Sequence, residues 1–260
     1  MALRALVGVK RVIDHAAKVY VHPNKRGMIK EGQKHSINPF CEIAVEAAVR
    51  LKEQNVIKEI IAVSVGCDRA KEQLHTVLAL GADKALLIRT ELEPDQTLQP
   101  LAVAKLFKSI IDKEKPNIVF LGKQAIDADS NQVGQLLAGL LGWPQITFCS
   151  DLELQCNREG YVAIGTREVD QGLQKVRAPL PLVITCDLRM NQPRFVSLPN
   201  LIKARKKTIK LLDAQELGVD ISPRLQILRV EEPPERKRGV RVHSVDELLQ
   251  NLRTQCGVDL

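Results

Sequence analysis

The sequence is poor in aromatic residues, and its first apolar run is short. Only 3% of its 260 residues are Phe, Trp or Tyr, although 45% are hydrophobic. The interior must therefore be filled by aliphatic side chains, which is typical of helices packed on a parallel sheet. The run at residues 3–9 is broken by Arg4 and is too short to span a membrane. It leaves no room for a classical cleavable presequence, so any organelle address is expected to be internal, and no membrane insertion is predicted.

Motifs for catalysis, metal binding and standard nucleotide binding are also missing. The six cysteines form no CxxC pair, which excludes a zinc knuckle and favours a reducing compartment. GxSxG and HExxH do not occur, and neither GxGxxG after the first strand nor GxxxxGK[ST] is present. We therefore predict no catalytic residue and no metal ligand.

The chain is basic, with a formal net charge of +7, and part of the excess lies in "IKARKKTIK" at residues 202–210. Such a run is usually a solvated face, and nucleic acid is the usual alternative partner. The aromatic platforms that single-stranded nucleic acid stacks on are not found around it. No nucleic-acid partner is expected.

Short runs rich in Val and Ile alternate with segments of helical period, which predicts an α/β fold with a largely parallel sheet flanked by helices. The predicted strands are residues 3–9, 59–65, 85–89 and 117–121. The predicted helices begin at Asn38–Pro39, near Asp68, near Leu98 and after Gln132. Asn38 is expected to cap its helix, and Gly142 to close the last one.

The rest of the chain differs in pattern. Residues 18–32 predict a β-hairpin, and three apolar runs between residues 145 and 186 predict an antiparallel addition to the sheet. Beyond residue 206, charged residues alternate with single apolar ones until a helix that Ser244 is expected to cap. We predict a domain over residues 1–206 and an extended C-terminal arm over 207–260 that lies on another subunit.

A ligand site is predicted where the parallel strands end, because helix N-termini point free amides outward at that edge. Gly8, the helix start at Asn38, Val65 and the stretch "GKQAIDADSNQV" (residues 122–133) all follow predicted strands. Gly122 would let a ligand approach the backbone, and Asp127 or Asp129 would accept from ribose hydroxyls. The amides of residues 131–133 would face a phosphate.

The alternative is that Asp129 or Ser130 only caps a helix while Asp127 faces water. If the stretch does bind a nucleotide, two carboxylates match a polyphosphate poorly unless a metal accompanies it. A nucleoside monophosphate suits the loop better.

The motifs "VKRVIDHAAKV", "KHSINPFCEIAVEAAVRLKE", "LGKQAIDADSNQVGQLLAGLLGWPQ", "REVDQGL" and "DLRMNQPRFVSLPNLIKARKK" resemble, in this order, the β subunits of the electron-transfer flavoprotein family. The resemblance covers essentially the whole chain. It implies a Rossmann-like domain in a heterodimer whose α subunit holds most of the FAD, with a structural AMP in the β subunit and a C-terminal arm around the partner.

The resemblance also implies a role. Such a carrier passes electrons from acyl-CoA dehydrogenases and related flavin dehydrogenases to electron-transfer flavoprotein–ubiquinone oxidoreductase, in the mitochondrial matrix or in the cytoplasm of a bacterium. The alternative is an AMP- or ATP-binding α/β enzyme of the ATP-pyrophosphatase-like class. Those enzymes hold pyrophosphate with a Gly/Ser-rich loop after the first strand, where this chain reads "GVKRVID".

Matched residue by residue, the family's AMP pocket falls on the predicted strand ends. Its positions are Gly8, Asn38, Pro39, Phe40, Cys41, Val65, Gly122, Lys123, Gln124, Ala125, Ile126, Asp127, Ala128, Asp129, Ser130, Asn131, Gln132 and Val133. Val65 replaces a family Cys. His15 and Phe40 match positions beside the flavin, where the family often has Tyr in place of His15.

The family's partner-recognition loop matches residues 187–206, which we call the docking segment. Leu198 matches its apolar anchor, followed by Pro199 and Asn200, and Lys203 and Lys206 match lysines methylated in animal members. Glu168 matches a carboxylate that holds the mobile flavin domain in one orientation.

Overall fold

The computed structural model describes residues 3–93, 96–158, 160–236 and 238–258. Its elements in chain order are β1 (Leu3–Gly8), β2 (Arg11–Ile13), β3 (His35–Ile37), α1 (Pro39–Glu53), β4 (Ile57–Gly66), α2 (Lys71–Leu80), β5 (Lys84–Arg89), α3 (Pro100–Glu114), β6 (Ile118–Gly122), α4 (Val133–Leu141), β7 (Gln145–Asn157), β8 (Gly160–Val169), β9 (Gly172–Pro179), β10 (Leu182–Cys186), α5 (Leu198–Arg205), β11 (Lys210–Asp213) and α6 (Val245–Cys256). Short 3₁₀ turns lie at Asp68–Ala70 and Gln215–Leu217.

One large sheet organises the molecule. Within the described part of the chain its order is β11-β5-β4-β1-β6-β10-β7-β8-β9, and β2 and β3 form a separate small ladder. All pairings from β11 to β7 are parallel, whereas β8 pairs antiparallel with β7 and β9. The predicted fold class is confirmed, and the carboxyl ends of the parallel strands share one edge.

Helices cover both faces of the parallel region. Residues of α1 and α2 such as Ile43 and Leu74 form one buried cluster with the sheet. Leu106 of α3 and Leu137 of α4 belong to a second cluster. Phe120 of β6 is fully buried, and the interior is otherwise mostly aliphatic, as the composition predicts. This two-sided burial explains why the parallel strands read as continuous apolar runs.

The predicted strand and helix positions along residues 1–142 agree with the structure, with Gly142 in the left-handed conformation after α4. The predicted hairpin at residues 18–32 is reduced to a bridge between Val21 and Met28. The prediction that all three runs between 145 and 186 are antiparallel is wrong only for the end of the third run, because its first part forms the antiparallel β9 and its last part forms β10. β10 lies between β6 and β7 and is parallel to both. All five of its residues are buried, which is typical of a central strand.

The C-terminal segment begins within the sheet, because β11 pairs with β5 as an edge strand. Beyond it, Gln99 accepts from the amides of Arg224 and Leu225. Ser244 caps α6 as predicted, accepting from the Glu247 amide. None of the helices in the described ranges is long and apolar enough to cross a membrane. The domain boundary at residue 206 and the contact of the arm with another subunit stay predictions.

Candidate functional site

The predicted ligand residues meet at the carboxyl edge of the parallel sheet. Gly8 and Gly122 are the last residues of β1 and β6. The Asn38 amide donates to the Lys10 carbonyl at 2.9 Å, which places the start of α1 beside the end of β1. The loop at residues 122–133 leaves β6 and enters α4 at the same edge.

Asn38 joins α1 to this loop instead of capping α1. Its side chain is 1% exposed; Nδ2 donates to the Gln124 carbonyl at 2.9 Å, and Oδ1 accepts from the Ile126 amide at 3.2 Å. No α1 amide donates a hydrogen bond to its side chain, so the predicted capping role is wrong. The side chain spans 86 residues of sequence to reach Gln124, and it fixes the loop against the helix start.

Both loop carboxylates have internal partners. Asp127 pairs with Lys10, with 2.8 Å between Oδ1 and Nζ, and Asp129 accepts from Gln124 Nε2 at 2.9 Å. The alternative in which Asp129 or Ser130 caps the helix is wrong, because the N-cap residue of α4 is Gln132. Asp127 is exposed, as that alternative predicts, and it also pairs with Lys10. Each carboxylate thus already has a partner within the protein.

The start of α4 keeps its amides available. Among the described residues no side chain accepts a hydrogen bond at this N-cap. Asp129 and Asn131 adopt left-handed backbone conformations, with φ of 49° each, which turn successive backbone groups in the loop. An uncapped helix start carries partial positive charge and unpaired N–H groups, so it suits an anion.

Gln135 is a site residue that the sequence analysis missed. Its Nε2 donates to Asn131 Oδ1 at 3.0 Å, while its Oε1 is buried and has no hydrogen-bond partner among the described residues. An orphaned buried acceptor is costly, and a ligand hydroxyl or amino group would satisfy it. In the sequence, only its position on the first turn of the predicted fourth helix could have indicated that Gln135 lies near the candidate site.

The two glycines serve packing. A Cβ added to Gly8 would lie 2.4 Å from Leu121, and one added to Gly122 would lie 2.8 Å from Phe40 Cβ. A side chain at Gly122 would therefore collide with the start of α1, which by itself requires a glycine there; the predicted approach of a ligand to its backbone stays a prediction. Close approach of β6 to α1 is what positions the loop.

Lys123 connects the loop to the docking segment. Its Nζ lies 2.8 Å from Asp187 Oδ2, and 5.9 and 5.2 Å from the ring centroids of Phe40 and Phe148. The ammonium group is therefore held by a carboxylate and two aromatic faces.

Cys41 is buried on the first turn of α1, and burial raises the pKa of its thiol. A neutral thiol is a poor nucleophile, so its role is packing. Val65 is partly buried and packs on the α3 and α4 side of the sheet. Within the described ranges there is no group of three or more His, Cys, Asp or Glu residues placed to hold a metal ion.

The remaining predicted residues lie away from the loop. Leu198 begins α5 and is 70% exposed, and Pro199, Asn200, Lys203 and Lys206 are also exposed. The His15 side chain is exposed, and its Nδ1 lies 3.8 Å from Asp14 Oδ1. Glu168 forms an ion pair with Arg189 of the docking segment.

A family model described as "Electron transfer flavoprotein domain" matches residues 26–217 of the chain. The mouse electron transfer flavoprotein subunit beta is 50% identical over 251 residues, covering 96% of this chain and 97% of the relative. A protein of Arabidopsis thaliana named "Electron transfer flavoprotein subunit beta, mitochondrial" is 50% identical over 256 residues, covering 98% and 100%. The human electron transfer flavoprotein subunit beta is 48% identical over 251 residues, covering 96% and 97%.

Proposed function

Because the chain belongs to the electron transfer flavoprotein β-subunit family, we propose that it is the β subunit of a heterodimer that accepts electrons from acyl-CoA and other flavin dehydrogenases. The heterodimer works in the mitochondrial matrix, or in the cytoplasm of a bacterium, and passes the electrons on to electron-transfer flavoprotein–ubiquinone oxidoreductase. The family membership confirms the resemblance drawn from the motifs, and members of this family are electron carriers rather than enzymes.

FAD, when bound in the heterodimer, supplies the redox chemistry, and the α subunit holds most of it. This chain contributes surface beside the flavin. His15 has an exposed ring at the end of β2, and Phe40 is fixed by α1. His15 in place of the family Tyr changes the polarity of that surface. Glu168, now paired with Arg189, is available to exchange that partner for one on the flavin domain.

AMP is the second ligand of the proposal, and the donor set of the strand ends supports it. The uncapped start of α4 suits one phosphate, and the orphaned Gln135 oxygen suits a hydroxyl or amino donor. The residues that would hold the nucleotide are those at Gly8, 38–41, Val65 and 122–133. Asp127 and Asp129 put two negative charges in the loop, which match a polyphosphate poorly and favour a monophosphate.

The docking segment supplies the contact with dehydrogenases. Phe195, Leu198 and Ile202 are 98%, 70% and 52% exposed, which is unusual for three large apolar side chains so close in sequence. Lys203 and Lys206 surround them with positive charge, which suits an acidic rim on the partner. Methylation of these lysines would keep the charge and reduce hydrogen bonding, weakening that contact.

The observation that carries the proposal is the match to electron transfer flavoprotein β subunits along nearly the whole chain. Its test is reconstitution. The chain is co-expressed with an α subunit, and an acyl-CoA dehydrogenase with its substrate is added. We expect the flavin of the purified complex to lose its absorbance as it is reduced, and a quinone reductase of the membrane to reoxidise it. Turnover of ATP by the chain without any flavin partner would instead favour the ATP-pyrophosphatase-like alternative.

A further inference from the structure

Polar contacts attach the first half of the docking segment to the domain. Lys123 pairs with Asp187, and Asn191 Nδ2 donates to the Ile43 carbonyl at 3.0 Å. Arg50 Nη2 donates to the Gln192 carbonyl at 2.9 Å. These contacts end on α1 and on the loop after β6, the two elements that form the candidate nucleotide site.

Arg194 makes the strongest of these attachments. Its Nε lies 2.8 Å from Glu46 Oε2, and its Nη1 and Nη2 lie 2.6 and 2.9 Å from the two carboxylate oxygens of Glu53. A second contact to Glu46, from Nη2 to Oε1, measures 3.2 Å. One guanidinium thus binds two carboxylates that lie two turns apart on α1, with the bidentate geometry that arginine allows.

Glu46 is an unusual residue for such a contact because it is only 4% exposed. Burial opposes its ionisation, but hydrogen bonds from Arg194 and Arg50 outweigh that effect and hold the pKa of Glu46 below its ordinary value. A buried carboxylate tolerates few positions of its partners, since displacement of Arg194 would leave Glu46 with Arg50 as its only charged partner. Arg194 is therefore fixed in place.

The residues directly after Arg194 are the ones that project. Phe195 is 98% exposed, and Ser197 Oγ accepts from the Asn200 amide at 3.4 Å at the start of α5, where Leu198 is exposed. The second half of the segment is held separately, because Leu201 packs on the buried core and Ala204 of α5 is itself buried. Arg194 is the ionic attachment nearest to the residues between these two holds, so it helps to set the positions of Phe195 and of Leu198 at the start of α5.

We propose that Arg194, bound to Glu46 and Glu53 of α1, is a positioning residue that holds the docking segment in its binding-competent shape before a dehydrogenase arrives. The inference rests on the proposed docking role of residues 187–206. A preformed segment binds without the cost of ordering it, and apparent affinity falls in proportion to the fraction of molecules that are competent.

The test uses the flavin-loaded heterodimer with Arg194→Met and Arg194→Lys. For Arg194→Met we expect KM for the dehydrogenase to rise about tenfold, as it would if about a tenth of the molecules stayed competent, with kcat within about twofold of the parent. Hydrogen exchange of the amides at 195–206 should accelerate. For Arg194→Lys, both the KM and the exchange rate should lie between those of the parent and those of Arg194→Met, because lysine supplies one charge without the bidentate contacts.

Two further variants separate positioning from stability. Arg4 contacts Glu59, with 2.6 Å between Nε and Oε2, and Glu114, with 3.2 Å between Nη2 and Oε2, at the amino end of β1. Arg4→Met removes a similar two-carboxylate contact at the opposite edge and should leave KM unchanged. The double variant Glu46→Met/Arg194→Met leaves no buried Glu46 charge, so it should fold and still show the raised KM.

An unchanged KM in Arg194→Met, alongside a raised KM in Leu198→Ala, would overturn the positioning role alone. An equal rise in Arg4→Met would also overturn it, because general destabilisation would then explain the effect. If Leu198→Ala has no effect either, the proposed docking function itself fails.

Discussion

Replacing Leu198 by alanine should lower kcat/KM for electron transfer from an acyl-CoA dehydrogenase by roughly thirtyfold, the effect of losing a hot-spot contact worth about 2 kcal/mol. Leu198 is 70% exposed in this chain, so its truncation creates no cavity in the fold. The content of FAD and the melting temperature of the complex should stay the same. The measurement is the rate of flavin reduction at a dehydrogenase concentration below KM.

Leu140 provides the matched control, because it is an exposed leucine on α4, outside the docking segment. Leu140→Ala should keep the rate of flavin reduction within about twofold of the parent rate, since isolated surface contacts contribute little to binding. Equal rates for Leu198→Ala and the parent would show that the anchor lies elsewhere. A loss of FAD from the Leu198 variant would show that the residue supports the α subunit and not the dehydrogenase.

Truncation after residue 220 should release the α subunit, which would elute separately in size-exclusion chromatography at micromolar concentration. The removed arm carries Leu225 and Leu228, which are 78% and 81% exposed. Burying two leucines in an interface would contribute about 3 kcal/mol or more, which corresponds to at least a hundredfold in affinity. The cut lies beyond β11 and the 3₁₀ turn Gln215–Leu217, so the sheet keeps its edge strand.

A double substitution in the full-length chain distinguishes loss of contacts with the α subunit from loss of the fold. Leu225→Ser/Leu228→Ser keeps the full arm and should weaken the heterodimer in the same direction as the truncation. The truncated chain should retain the circular dichroism spectrum of an α/β domain. Co-elution of the truncated chain with the α subunit at all concentrations would contradict the proposed role of the arm.

The local elements were predictable because their signals are local. Apolar periodicity gives α1 through α4, and Pro39 and Gly142 mark where helices begin and end. The carboxyl edge of the sheet followed from strand direction alone, so the candidate nucleotide residues could be grouped before any contact was known.

Contacts between distant residues were not predictable from the same signals. Asn38 has the sequence pattern of a helix cap, but its partners lie 86 and 88 residues away. Arg194 and Glu46 are separated by 148 residues, and charged residues in isolation indicate a solvated surface. The insertion of β10 between β6 and β7 depends on strand order, which no local pattern encodes.

Native mass spectrometry of the co-purified heterodimer tests the central claim, that the strand ends of this chain bind a nucleoside monophosphate within a flavin-carrying complex. The parent should show one α subunit, one β subunit, one FAD and one AMP. Asn38→Asp removes the donor to Gln124 and adds negative charge beside the loop that leads into α4, so it should lose the AMP. Asn117→Asp is the control at the opposite edge of the sheet. It keeps the side-chain oxygen that accepts from the Arg4 amide, and the complex should retain its AMP. A parent complex with FAD and no nucleotide, or Asn38→Asp with full AMP, would contradict the account.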